Sequence, residues 1–131
     1  MATIAPKFTL TTSGLTTATT ISMSVEDSLN VVQPIVGSAH ATAPISSGTA
    51  EEIVPTGSAN QYVFIRHTGK QADGTTDTTN QLSVLFGSTE GLRISAEEFA
   101  FFPSKSDVVV KVLSSSSQTI QVEYAYYTAG W

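Results

Sequence analysis

The stretch from Thr119 to Thr128, TIQVEYAYYT, alternates with a period of two. In an extended chain Ile120, Val122, Tyr124 and Tyr126 lie on one face, and the residues between them lie on the other. Similar stretches recur about ten residues apart and are bounded by turn-forming residues, a spacing typical of β-sandwiches and barrels. This repeated alternation predicts an all-β fold.

The composition agrees with this fold class. Thr and Ser supply about a quarter of the chain, and they favour strands and turns, whereas the helix-forming residues Lys, Leu and Glu are scarce. The chain has 131 residues, which suits one domain with one hydrophobic core. We therefore predict a single domain over residues 1–131, in which residues 1–20 form an extended N-terminal arm.

The pattern predicts an antiparallel β-sandwich of jelly-roll type, with about eight strands and no convincing helix. A short strand is expected at 7–11 in the arm, and residues 37–50 are expected to form a loop with at most one short strand. Residues 114–118 are expected to join the last two strands into an antiparallel hairpin. The predicted sandwich strands are 20–25, 29–36, 51–55, 61–68, 81–87, 99–103, 107–113 and 119–128.

The segment from Ser95 to Pro103 carries conflicting signals. The spacing of Ser95 and Glu98 matches a helix capping box, but a helix starting there would reach Pro103 after about two turns. As a strand, the segment places Phe99 and Phe101 on one face and Phe102 on the other. We therefore favour a turn through 95–98 followed by a strand.

The charge distribution argues against two classes of partner. The net charge is −5, and the six Lys and Arg residues are scattered along the chain. Nucleic acids and anionic lipids both need a concentrated positive surface, so neither is an expected partner. The N-terminal sequence lacks the pattern of a signal peptide, and no apolar run approaches the roughly 18 residues that span a bilayer.

No group of residues indicates catalysis, so the chain is not expected to be an enzyme. It has no cysteine and two histidines, His40 and His67, which are too few for a metal site by themselves. Asp73 and Asp77 share a polar loop that is read as solvated surface, with calcium binding as a minor alternative. No catalytic, metal or cofactor site is predicted.

The second half of the chain resembles small structural proteins of tailed-bacteriophage virions. The similarity covers about residues 51–128. One strand ends in Phe86-Gly87, a turn with Leu92 follows, Glu98-Phe99 opens a strand that reaches Pro103, and the final hairpin contains Glu123-Tyr124. Such proteins include capsid decoration (cement) proteins, head-fibre bases and tail components, so the resemblance implies a structural role in a virion. We favour a decoration protein that binds the major capsid protein, located on the capsid surface of the virion after assembly in the host bacterial cytoplasm.

Contacts to virion proteins are expected from the arm and from the aromatic C-terminus, and a homo-oligomer, with a trimer favoured, is the expected state. Two alternatives stay open: a tail or fibre protein, and a carbohydrate-binding module that uses Tyr62 and the C-terminal aromatic residues. The candidate partner-binding residues are Ile4, Phe8, Leu10, Leu15, Tyr127 and Trp131.

Overall fold

The computed structural model describes residues 2–11, 22–31 and 36–129, which contain twelve β-strands and no helix. The prediction of an all-β chain of antiparallel strands is confirmed, whereas the expected count of about eight strands is lower than the number found. The strands are β1 (Ala2–Ile4), β2 (Lys7–Thr11), β3 (Ser22–Glu26), β4 (Leu29–Val31), β5 (Val36–Ala43), β6 (Glu51–Val54), β7 (Gln61–His67), β8 (Leu82–Phe86), β9 (Thr89–Ile94), β10 (Phe99–Ser104), β11 (Val110–Ser114) and β12 (Ile120–Thr128).

Strands β5 to β12 form two four-stranded antiparallel sheets, which together are called the body. One sheet has the order β10-β7-β12-β5, and the other has the order β6-β11-β8-β9. The pairing is nested along the chain: β5 pairs with β12, β6 with β11, β7 with β10, and β8 with β9. The chain from β5 to β8 therefore pairs, strand by strand, with the chain from β9 to β12, and the turn between β8 and β9 joins the two halves.

One hydrophobic core receives side chains from both sheets. Alternation along each strand sends every second residue inward, which is why bulky apolar residues recur at that interval. All strands of the body except β10 supply fully buried or nearly buried apolar residues, and Ala100 and Phe102 of β10 pack against them. The buried members are Ala43, Ile53, Val54, Val63, Ile65, Leu82, Val84, Ile94, Val110, Val112, Ile120, Val122 and Tyr126.

Strand β5 corrects the expectation of a loop over residues 37–50. It is eight residues long and pairs with β12 at the edge of its sheet. Its residues are mostly small, so it lacks the bulky alternation that marks a strand in sequence. Ala41 packs against the core and Ala43 is fully buried, because the neighbouring strand β12 supplies the large side chains at this edge.

The predicted hairpin of the last two strands is wrong. β11 pairs with β6 and β8, whereas β12 pairs with β5 and β7, so residues 115–119 cross from one sheet to the other. Alternation shows which residues face the core, but it does not show which neighbour a strand pairs with. Of the faces predicted to point inward, Val110, Val112, Ile120 and Val122 are fully buried and Tyr126 nearly so, whereas Val108 and Tyr124 are partly buried.

The conflict over residues 95–103 is resolved in favour of a turn and a strand. The Glu98 carboxylate accepts a hydrogen bond from the Ser95 backbone N–H at 2.6 Å, as in a capping box. The chain nevertheless turns at Glu97, which has a φ of 70°. The backbone of Glu97 and Glu98 then exchanges hydrogen bonds with His67, which continues the pairing of β10 with β7.

The first four strands form a separate two-stranded ribbon, which we call the arm. β1 pairs with β4 and β2 pairs with β3 in one continuous register, from Ala2 opposite Val31 to Thr11 opposite Ser22. Ten residues of extended chain span about 30 Å. The arm therefore extends past residue 20, its predicted end, and includes two returning strands, β3 and β4, that overlap strands predicted in the sandwich at 20–25 and 29–36.

Candidate assembly surface

The outer half of the arm has one apolar face and one polar face. Phe8 lies opposite Val25, and Leu10 lies opposite Met23, so these four side chains share one face of the ribbon. Lys7 and Glu26 are opposite each other on the other face and form an ion pair of 2.8 Å. We call strands β2 and β3 the distal arm.

Burial of the apolar face falls along the length of the arm. At its base, Val31 is fully buried and forms a β-bridge with Ala129, and Ile4 and Leu29 pack beside it. On the distal arm, Phe8 is 47% exposed and Val25 is 62% exposed. Leu10 and Met23 are also exposed. The base is therefore anchored to the body, while the distal arm presents its apolar face to solvent.

The ladder of the arm is interrupted between the base and the distal arm. Residues 5–6 and 27–28 lie outside the strands, and one backbone hydrogen bond, from Asp27 N to Pro6 O at 3.2 Å, connects them. Pro6 has no N–H and cannot return a second bond. The arm therefore has fewer backbone hydrogen bonds at this interruption than within its strands.

The outer face of the β10-β7-β12-β5 sheet carries four aromatic rings next to the arm, of which Phe99 and Phe101 are exposed and Tyr62 is buried. Tyr62 and Phe101 are stacked with ring centroids 6.3 Å apart, and Phe64 and Phe99 are 6.3 Å apart in a tilted arrangement. Phe99 is 56% exposed, and Phe101 is exposed as well. We call these four residues the aromatic strip. Exposed aromatic rings grouped on one surface are typical of protein interfaces.

A cleft lies between the arm and the aromatic strip. Pro6, Phe8 and Val25 line it from the arm, and Tyr62 and Phe101 line it from the body. Asp27 borders the same cleft. Burial, and to a lesser degree the negative charge of Asp27, raises the pKa of Tyr62 above its ordinary value. The two apolar surfaces therefore face each other across a cleft that neither fills.

The sequence-predicted partner residues fall into three groups. Phe8 and Leu10 are exposed on the apolar face of the distal arm. Ile4 and Tyr127 pack instead into the small cluster of Val31, Tyr62 and Ala129 at the base. The other two predicted residues, Leu15 and Trp131, lie outside the described residues.

Met23, Val25, Phe99 and Phe101 belong to this surface but were not selected from the sequence. The alternation of residues 21–25 predicts a half-buried strand, and the alternation is correct, but the apolar side is not covered by the body. Alternation placed Phe99 and Phe101 on one face, but it does not show that this face is the outer one. The distal-arm stretch offers a signal that could have helped, because no charged residue occurs from Phe8 to Val25.

The two histidines have different environments. His67 is fully buried, with Nδ1 accepting a hydrogen bond from Gly69 N–H at 2.9 Å and Nε2 donating to the Asn80 carbonyl at 2.8 Å. His40 is exposed on β5, with Nε2 3.9 Å from a Glu123 carboxylate oxygen. No cluster of three metal-ligating side chains occurs in residues 2–11, 22–31 and 36–129.

The acidic loop after His67 is held by its own contacts. The Asp73 carboxylate accepts hydrogen bonds from the backbone N–H groups of Thr75 and Thr76 and from the Thr76 hydroxyl. These bonds lower the pKa of Asp73 to about 2. Asp77 pairs with Lys70, whose pKa it raises. Both carboxylates that suggested calcium in the sequence therefore have other partners within the loop.

No protein-family model matches the chain, and no curated protein sequence matches it. Within the described residues, no helix is long and apolar enough to cross a membrane. The arm and the aromatic strip are accordingly the features from which a function has to be inferred.

Proposed function

We propose that this chain is a structural subunit of a bacteriophage virion, of the decoration type, which binds and stabilises the shell of the major capsid protein. The observation that carries this proposal is the distal arm, a ribbon whose apolar face is exposed and whose only charged residues are the paired Lys7 and Glu26. A monomer that functioned alone would gain nothing from exposing such a surface. A subunit of an assembly would bury it against a neighbour.

The strand pairing supports a virion protein of jelly-roll type. Counted along the body, the first strand pairs with the eighth, the second with the seventh, the third with the sixth, and the fourth with the fifth. This nested order results when one long antiparallel ribbon is rolled into two facing sheets. Jelly rolls of eight strands are common in viral capsid domains and lectins. The body is therefore proposed to be a jelly-roll sandwich.

The distribution of charge suits attachment to a shell. The chain is acidic, with a net charge of −5, and so does not compete for the packaged genome. The distal arm has no charge between Phe8 and Val25, so its contacts must come from shape and apolar burial. Many copies on a symmetric shell would each need only a modest interface, because the assembly multiplies weak contacts.

The carbohydrate-binding alternative receives less support from the surface. Tyr62 is buried beneath the base of the arm, and Tyr127 packs in the same cluster, so neither ring offers an open platform for a sugar. A virion role outside the capsid, in the tail or a fibre, would use the same arm on another protein. The location on the particle distinguishes the two roles.

Co-sedimentation with capsid shells of the source phage, stripped of this protein, tests the proposal. The wild-type chain is expected to bind in a saturable way, at a number of copies that matches a symmetry axis of the shell. A variant in which residues 7–26 are replaced by a short Gly-Ser turn is expected to bind much more weakly. Thr9→Ser combined with Thr11→Ser, which changes only the polar face, is the matched control and should bind like the wild type.

Three other results would each contradict one part of the proposal: the decoration role, the virion role or the use of the arm for attachment. If the folded wild-type protein does not bind shells but binds isolated tails, the decoration role is wrong and the tail or fibre role replaces it. If it binds neither, the virion role itself is wrong. If the variant without the distal arm binds shells as tightly as the wild type, the arm is not the attachment element.

A further inference from the structure

We propose that the distal arm of one copy packs on the aromatic strip of a second copy, so that copies of this chain associate by exchanging arms. This inference rests on the proposed function for one premise, that the arm is an assembly element. It adds the identity of the partner, which is the chain itself.

The first step is that the distal arm is incompletely covered in its own chain. Phe8 and Val25 line the cleft above Tyr62 and Phe101, but both are about half exposed or more. A two-stranded ribbon is only marginally stable in water without a surface to pack on. The distal arm therefore gains stability when its apolar face is covered.

The second step is that the two apolar surfaces already face each other within one chain. The arm and the strip form opposite walls of one cleft, and both walls are mainly apolar, with Asp27 the one charged residue in its lining. Phe8 also borders the cleft formed by residues 97–101. The contacts that one copy begins to make with itself can be made in the same way between two copies, which is the physical basis of domain swapping.

The third step is that the arm has a pivot at the required place. The base stays attached to the body through Val31 and the cluster around Tyr62, so exchange does not disturb it. Beyond the base, the ladder is interrupted at Pro6 and Asp27. A small change of backbone angles at this interruption would redirect the distal arm toward a neighbour and leave both pairs of strands intact.

The fourth step is that the net negative charge of the chain limits which surfaces of two copies can meet. Two copies with a net charge of −5 repel each other at long range, so their contact has to avoid carboxylates. The apolar face of the distal arm and the four rings of the aromatic strip are both uncharged, whereas the carboxylates of Asp27, Glu97 and Glu98 lie at the borders of the two clefts. Added salt should therefore tighten this association by screening the repulsion, whereas it would weaken binding to a basic partner.

Cross-linking between two single-cysteine variants tests the exchange, because the natural chain has no cysteine. One chain carries Val25→Cys on the distal arm, and the other carries Glu98→Cys beside Phe99 and an extra tag that changes its size. After mixing and treatment with a short bismaleimide, we expect a product that contains one chain of each kind. Ser88→Cys, on the exposed β8–β9 turn, replaces Glu98→Cys in the control and should give only background.

Two results would overturn the exchange. One is a mixture that yields no more mixed product than the Ser88→Cys control. The other is a chain carrying both Val25→Cys and Glu98→Cys that cross-links only within itself and remains a monomer. Either result would mean that the arm stays on its own body.

Sedimentation equilibrium gives a second test, without shells. Leu10→Ser with Met23→Ser should raise the dissociation constant for self-association by roughly tenfold or more, because it removes apolar area from the contact. Phe101→Ser, on the body, should act in the same direction while leaving the arm intact. Thr9→Ser with Thr11→Ser should have no effect. Equal self-association of all four chains, or none in the wild type, would contradict the inference.

These measurements separate the two proposals. Self-association by arms without binding to shells would refute the decoration role and leave the exchange standing. Saturable binding to shells by a chain that stays monomeric would refute the exchange of arms and leave the decoration role standing.

Discussion

At the residue scale, His67 is the side chain that connects a strand to the long polar loop. Its two ring nitrogens bind Gly69 and Asn80, which are the beginning and the end of that loop. Since Nδ1 accepts a hydrogen bond, the proton of the neutral ring is on Nε2. The buried ring therefore helps to close the loop, together with the Thr78 N–H to Gly69 carbonyl hydrogen bond of 3.0 Å and the Lys70–Asp77 pair.

Replacement of His67 by Phe should destabilise the protein by roughly 2 kcal/mol or more, because it leaves a buried N–H and a buried carbonyl without partners. Urea unfolding measures this change. The matched control is His40→Phe, on the exposed side of β5, which should stay within about 0.5 kcal/mol of the wild type. An equal effect at both positions would show that the two hydrogen bonds do not hold the loop.

Asp73 should make stability depend on pH in a defined window. Its pKa in the folded protein is about 2, below the ordinary value of 3.8. The folded state therefore binds its proton less readily than the unfolded state, so the contribution is present above pH 4 and is lost as the pH falls toward 2.

Asp73→Asn is expected to lower the thermal midpoint at pH 6 and to lower it less at pH 2, where the wild-type carboxylate is itself being protonated. Thermal melts of both proteins at a series of pH values check this. A difference between the two that grows as the pH falls would contradict the assignment. Asp107→Asn, at an exposed position, is the control and should show a smaller dependence.

Sequence alone could not distinguish these residues from their neighbours. His40 and His67 are both preceded by short stretches of strand-forming or small residues, and nothing local shows that one ring is buried. Asp73 and Asp77 share a loop that suggested solvated surface or calcium, and only the folded loop shows which donors each carboxylate meets. Burial and pairing of polar groups depend on residues far away in the chain.

At the scale of single elements, alternation identified the strands with bulky side chains and their inward faces. Alternation did not predict strand β5, because its small residues become buried only when β12 lies beside them. It also did not predict that the chain after β11 crosses from one sheet to the other. It also placed Met23 and Val25 on an apolar face correctly but could not show that the body leaves this face uncovered. Pairing partners and coverage are decided by tertiary packing.

Strand β9 contains a glycine that allows an aromatic ring to pack closely. A Cβ atom added at Gly91 would lie 2.3 Å from Phe86 Cε2, too close for any real contact. Phe86 packs edge-on against Phe102 with ring centroids 5.5 Å apart. Gly91 therefore leaves the space that this ring occupies.

Gly91→Ala is expected to destabilise the protein by roughly 1–3 kcal/mol, because the ring must move against Phe102. Chemical denaturation measures the change, and Ser88→Ala in the adjacent exposed turn is the control, expected within about 0.5 kcal/mol. A Gly91→Ala protein as stable as the wild type would mean that the ring has room to move without loss.

At the scale of the whole molecule, the nested pairing joins strands that are distant in sequence. Ala43 pairs with Ile120, and the sheets close only after the last strand arrives. Folds dominated by such distant contacts fold slowly, in milliseconds to seconds. The distal arm takes no part in this closure, since its strands pair only with each other.

The body is therefore expected to fold without the distal arm. The variant that replaces residues 7–26 by a short turn should keep the far-ultraviolet circular dichroism of a β protein, and its thermal midpoint should lie within about 5 °C of the wild type. Loss of cooperative unfolding in this variant would show that the arm is a structural part of the body. The substitution Leu29→Ser in the anchored base should lower the thermal midpoint by more than the deletion does, because Leu29 packs beside Val31 and Tyr62.

We infer that a partner covers the distal arm when the chain assembles. Hydrogen exchange of the backbone amides, compared between the dilute chain and the chain bound to shells, measures this coverage. We expect fast exchange in β2 and β3 in the dilute chain and strong protection of these strands in the assembly, with little change in β7 and β8. Equal exchange of β2 and β3 in both states would contradict it.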